Sequence, residues 1–161
     1  MKAGTRGLAS IEVRVSPSQL YDAVADVRRM GEWSPECKRC EWTDGATGPA
    51  VGARFRGHNR RGIIRWSTTP RVMVADAGRE FAFVTCHRGR DMTKWTYRFE
   101  PVVNGTAVTE SFEMLRDMPW YYRIADRYLM GIKDRTADLV ANMEATLHRL
   151  KTATEHLDHS R

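Results

Sequence analysis

Proton-transfer chemistry in this chain would start at Glu110. Residues 106–114 alternate with a period of two, and that alternation puts Glu110 on the same face as Phe112. A carboxylate on an apolar face needs a partner, a water or a proton of its own. Burial would raise its pKa towards the range useful to a general acid or base. The favoured reading is a structural carboxylate paired with an arginine or with Asn59, with the acid–base role as its alternative. Tyr97 shares inward parity with Trp95 and Phe99, and His87 with Phe81, Phe83 and Thr85. These two complete the acid–base candidates. No Ser-His-Asp set, phosphate loop or dinucleotide fingerprint accompanies them, so no catalytic set is assigned.

Cys37-x-x-Cys40 and Cys86-His87 together have the composition of a zinc site. A structural zinc takes four converging ligands. On a strand, an offset of three residues turns Cys37 and Cys40 to opposite faces. The expectation is no metal, no other cofactor and reduced, structural thiols. Three cysteines without framework spacing suit a cytoplasm. The N-terminal "MKAGTRGLAS" lacks the apolar segment of a signal peptide.

"RFRGHNRRG", Arg54 to Gly62, is the densest basic stretch. As a strand it puts Arg54, Arg56 and His58 on one face and Phe55, Gly57 and Asn59 on the other, with "RRG" as the turn. A nucleic-acid platform needs aromatics exposed among the basic residues. Here the aromatic lies on the opposite, inward face. The net charge of +6 over 161 residues is too moderate to imply nucleic acid by itself.

The elements that would hold these residues follow from periodicity. Residues 8–15 alternate as a half-buried strand, and Ser16-Pro17 begins a short helix with Leu20, Val24 and Val27 as its stripe. A second short helical piece ends by Gly31, and Pro35 blocks further helix. "CKRCEW" is the next strand, followed by strands near 51–59, 63–74, 80–87, 93–100 and 106–114. From Pro119 to Leu157 the period becomes 3.6, giving one amphipathic helix. At about 1.5 Å per residue it overhangs a domain of this size, so a kink or break is expected near Gly131 and fraying of the polar tail over 151–161. Seven antiparallel strands and a terminal helix form a single α+β domain spanning 1–161. No apolar run is long enough for stable membrane insertion. Nothing in the pattern fixes an oligomeric state.

The inward sheet face then carries Phe55, Asn59, Trp66, Phe83, Trp95 and Tyr97, continued by Glu110 and Phe112. Trp33 enters from the turn before "CKRCEW", and Tyr121, Ile124 and Tyr128 from the helix. An apolar concavity with a few convergent polar groups describes a small-molecule site.

As an ordered set, "SPSQLYDAVADVRRMGEWSPE", "VGARFRGHNRRGIIRW", "WTYRFEP", "GTAVTESFE" and the terminal helix make the chain resemble the START-like (SRPBCC) superfamily. Within it the resemblance is to the bacterial polyketide cyclase/dehydrase and lipid-transport branch. It implies a helix-grip fold, a curved antiparallel sheet gripping the C-terminal helix around a deep hydrophobic cavity. It also implies a hydrophobic ligand of lipid, sterol or polyketide type. Binders, carriers and cyclases share that fold. The expected function is binding or transport of such a ligand. The alternative is an aromatase/cyclase or dehydratase using Glu110, Tyr97 or His87 in the same cavity.

Overall fold

The computed structural model describes residues 1–158, with side chains through His156; residues 159–161 lie outside it. Strand β1 (Arg6–Val13) leads into helix α1 (Pro17–Ala25) and a 3-10 helix over Val27–Glu32. Seven strands follow: β2 (Cys37–Thr43), β3 (Arg54–Arg61), β4 (Ile64–Thr68), β5 (Arg71–Asp76), β6 (Glu80–His87), β7 (Arg90–Val102) and β8 (Gly105–Met114). Helices α2 (Trp120–Leu129) and α3 (Arg135–Asp158) close the chain.

The capping at α1 is the one its sequence dictates. Ser16 Oγ accepts from the Gln19 backbone N–H, the Gln19 side chain returns the bond to the Ser16 N–H, and Pro17 takes the first turn. The sheet is antiparallel throughout, in the order β1-β8-β7-β6-β5-β3-β2, with β4 pairing only with β3. It curls around α3, whose Leu139, Met143, Leu147 and Leu150 are buried. This is the helix-grip arrangement of the α+β class.

Three expectations about element boundaries are corrected. The strand expected over 63–74 is two strands, divided at Thr69-Pro70. Proline has no N–H to give the ladder. Each half takes a different neighbour: β4 folds back along β3, and β5 pairs with β6, meeting β3 only at Arg54–Arg71. The single terminal helix is two helices. The break falls at the expected place, where Gly131 has φ of +68°, a left-handed conformation that favours glycine. Of the tail expected to fray over 151–161, the part through Asp158 is helical and the rest lies outside the described residues. Thr154 is buried, Lys151 Nζ donates to the Glu12 carbonyl and Glu155 accepts from the Arg14 N–H, so β1 holds it down.

The concave face of the sheet is filled unevenly. At one end Tyr21 of α1 meets Phe81 and Phe99 edge-on, with centroids 6.4 and 5.9 Å apart. The rest of that face stands opposite α3. Among the described residues, no helix is long and apolar enough to cross a membrane.

Candidate functional site: a cavity between the sheet and α3

The open part of the concave face encloses a cavity of about 240 Å³. Its floor is laid by strand register. On adjacent strands Phe83 stands opposite Trp95 and Tyr97 opposite Glu110, while Asn59 faces Trp66 across the β3–β4 hairpin. Phe55 completes the sheet side. These seven residues are the part of the expected lining that the structure brings together. The alternation on β3 holds: Phe55 is 1% exposed and Gly57 is buried, whereas Arg54, Arg56 and Arg60 face solvent.

The other five expected lining residues lie elsewhere. Trp33 is buried, with the Arg29 guanidinium 5.3 Å from its ring centroid, away from the cavity. Phe112 is buried one position past Glu110 on the same face, but it packs against Trp95 and closes over Gly7. Ile124 and Tyr128 border a separate surface depression and are 49% and 76% exposed. Tyr121 hydrogen-bonds His87 Nε2 at 2.8 Å, and Tyr122 bonds His87 Nδ1 at 3.0 Å. His87 therefore ties the β6–β7 turn to α2 and does not line the cavity. Periodicity assigned the α2 residues to the stripe of α3, but the helix breaks at Gly131 and that stripe does not run on through it.

Glu110 is the chemical centre of the cavity. Glu110 is 5% exposed, and its Oε1 accepts from the Tyr97 hydroxyl at 2.7 Å. Oε2 is buried without a hydrogen-bond partner. The expected arginine or Asn59 partner is replaced by Tyr97, which stands directly opposite on the neighbouring strand. Burial pushes the Glu110 carboxyl up to about 8, and the Tyr97 donation pulls against that rise. The group is therefore mostly protonated at neutral pH. With Oε1 accepting, the proton falls on Oε2, where it has no acceptor. Burial, then the neighbouring carboxyl, raises the Tyr97 phenol well above its ordinary value.

The cysteines overturn the simplest strand geometry. The β2–β3 register shifts between Cys37 and Arg39, so Lys38 is the extra residue of a bulge. Cys37 then pairs with Asn59 and Cys40 with Gly57, and both of those partners face inward. An offset of three thus behaves as an offset of two. The two sulfurs lie on one face, 3.2 Å apart, both against the cavity. Gly31 permits the bulge, since a Cβ there would collide with the Lys38 carbonyl oxygen. Cys86 is not part of this pair or of the cavity lining and donates to Asp91. Among the described residues, no three His, Cys, Asp or Glu side chains are grouped to hold a metal ion.

Residues missed in the sequence complete the far wall. Arg135, Asn142 and Thr146 line the cavity beside Leu139 and Met143 of α3. They share the helix face of the apolar stripe, so their spacing was the available signal. Arg135 joins an ion-pair cluster: Arg61 binds both oxygens of Asp138 at 2.8 Å, and Glu36 lies 3.2 Å from Arg61 and 3.6 Å from Arg135. These paired charges stand at the polar side of the cavity.

Among curated proteins, none matches the chain. Solved structures do. A polyketide-cyclase-like protein, Cgl2372 from Corynebacterium glutamicum, is 32% identical with a TM-score of 0.62, covering 99% of this chain and 97% of that one. Protein NE0264 from Nitrosomonas europaea aligns over 99% of both chains at 8% identity, TM-score 0.70, and shares the fold. So does the di-domain aromatase/cyclase StfQ of the steffimycin biosynthetic pathway, at 13% identity and a TM-score of 0.74, over 96% of this chain and 51% of that one. The family described as polyketide cyclase/dehydrase and lipid transport matches residues 8–155, nearly the whole sheet and both flanking helical segments, and the chain belongs to that family.

Proposed function

We propose that the protein binds a small, mainly apolar molecule whose carbonyl or hydroxyl oxygen accepts a hydrogen bond from Glu110. One observation carries this reading: a carboxyl neutral at physiological pH, set in an apolar cavity, with one oxygen satisfied by Tyr97 and the other without a partner. An unmatched buried donor costs about 1–3 kcal/mol, and a ligand oxygen at that point recovers much of it. Size narrows the class. A dry cavity of about 150 Å³ holds benzene, so about 240 Å³ admits roughly ten heavy atoms. A two-ring ketone or phenol fits; a sterol or long lipid requires the cavity to widen.

A second reading, cyclase or dehydratase, rests on the same residue. A carboxyl that titrates near neutrality can both give and take a proton, and the fold is that of the aromatase/cyclase StfQ. The binding function comes first because the His87 ring is engaged by Tyr121 and Tyr122 outside the cavity, and the Glu36 carboxylate is paired with Arg61 and Arg135, which leaves Glu110 with Tyr97 as the carboxyl centre open to a ligand.

The test is calorimetric titration with α-tetralone and with tetralin, which differ by one carbonyl. The expected result is about tenfold tighter binding of the ketone, the worth of one buried hydrogen bond, and loss of that difference in Glu110→Leu. Equal affinities in the wild type would overturn the proposal. Recovery of the ketone unchanged after long incubation favours binding over catalysis.

A further inference from the structure

Neither the family nor the proposed ligand accounts for two thiols placed against each other in the cavity wall. Cys37 and Cys40 are 5% and 4% exposed, their sulfurs are 3.2 Å apart, and both line the cavity. Ordinary strand geometry would separate them; the Lys38 bulge, seated on Gly31, brings them to one face. Closing to a disulfide length of about 2.05 Å needs the sulfurs to move together by roughly 1.2 Å, a change that side-chain rotation and the unpaired bulge residue can absorb. Met30 Sδ lies 3.8 Å from Cys40 Sγ, so the pair sits in a soft, sulfur-rich pocket corner.

We infer that Cys37 and Cys40 form a redox-active dithiol reached only through the ligand cavity, oxidised to a disulfide by small, uncharged organic hydroperoxides. The inference requires the cavity as a route and is independent of which ligand Glu110 binds.

The two cysteines have different roles. Hydrogen bonding from the Cys40 thiol lowers the Cys37 pKa against the opposing effect of burial, with further help from backbone bonds at Arg39 and His58 and from the Lys38 charge. The same hydrogen bond, then burial, pushes Cys40 up. The direction of these shifts favours Cys37 as the attacking sulfur and leaves Cys40 to resolve. The Cys37 sulfur attacks the terminal peroxide oxygen; an S–O bond forms, the O–O bond breaks, and the alkoxide leaves and takes a proton as the alcohol. The Cys40 sulfur then attacks the sulfenic sulfur, forming the S–S bond and expelling hydroxide, which leaves as water with the second proton. Two thiols and one hydroperoxide become one disulfide, one alcohol and one water. Cys86 is the internal control. It lies outside the cavity, and burial followed by its bond to Asp91 raises its pKa.

The experiment treats the fully reduced protein with tert-butyl hydroperoxide or with oxidised glutathione, and reads thiol count, intact mass and peptide map over time. The expected result is loss of two thiols of three, a mass two daltons lower and a Cys37–Cys40 linkage, at least tenfold faster with the hydroperoxide than with the bulky charged disulfide. Dithiothreitol restores the mass. Cys37→Ser abolishes the disulfide, and Cys40→Ser stops at a sulfenic acid on Cys37. Oxidation confined to Met30 or Cys86, or faster reaction with oxidised glutathione, would overturn the inference. Parallel α-tetralone titration separates the two proposals: tetralone binding without a disulfide sinks the dithiol alone, and a disulfide without tetralone binding sinks the ligand alone.

Discussion

Replacing Glu110 with glutamine should remove a loss of stability that the wild type suffers as pH rises above 4.5. In the unfolded chain the carboxyl ionises near its ordinary value of 4.5; in the fold it holds its proton up to about 8. Between those values the unfolded state has released a proton that the folded state keeps. The unfolded state then binds fewer protons, so stability falls as pH rises. At about 1.4 kcal/mol per pH unit, the interval from 4.5 to about 8 amounts to up to about 5 kcal/mol. That is a large part of the roughly 5–15 kcal/mol available to a domain. Glutamine keeps the shape, accepts from Tyr97 and never ionises. The assay is urea unfolding of both proteins from pH 5 to pH 9. Groups shared by the two proteins, such as Asp126 with its pKa raised by burial, shape both curves alike, so the expected result is a difference that grows steadily with pH and reaches several kcal/mol in the variant's favour by pH 8. Acidic groups with lowered pKa, such as Asp26 and Asp117, act at lower pH and are common to both proteins. Parallel curves across this window would refute the buried, neutral carboxyl.

Tyr97→Phe removes the donation that lowers the Glu110 pKa, so the Glu110 titration should move further above about 8; a downward move would contradict the assigned bond. Gly131→Ala should cost about 1 kcal/mol, seen as a lower urea midpoint with unchanged slope, because φ is +68° although no atom lies within 4 Å of the added Cβ. A gain in stability there would mean that the break between α2 and α3 is not fixed at this residue. Arg54, Arg56 and Arg60 replaced together by glutamine should change stability by only about 0.5 kcal/mol and leave tetralone binding intact, since all three face solvent. Loss of binding would place them at the cavity mouth.

Alternation made the floor of the site readable. On β3, β7 and β8 the two faces differ sharply in polarity, so Phe55, Asn59, Trp95, Tyr97 and Glu110 could be assigned to one side from the sequence. Their cross-strand pairing could not, because register depends on partners far along the chain; the Tyr97–Glu110 bond appeared only with the β7–β8 ladder. One inserted residue inverts every later side chain on a strand, and nothing in "CKRC" announces Lys38 as the insertion. The helical end shows the complementary limit. A period of 3.6 identified an apolar stripe through Tyr121, Ile124 and Tyr128, and Gly131 was legible as its weak point. The placement of α2, ahead of the break, was not, because it depends on contacts such as His87 with Tyr121 and Tyr122.

The most direct measurement is a carbon-13 NMR titration of the Glu110 side-chain carboxyl, free and with α-tetralone. A neutral acid donating to a ligand oxygen should titrate near 8 in the free protein, as burial dictates, and higher when the ketone is bound, since the ligand stabilises the protonated form alone. A carboxyl that titrates near 4.5, or one whose titration tetralone leaves unmoved, would contradict the account.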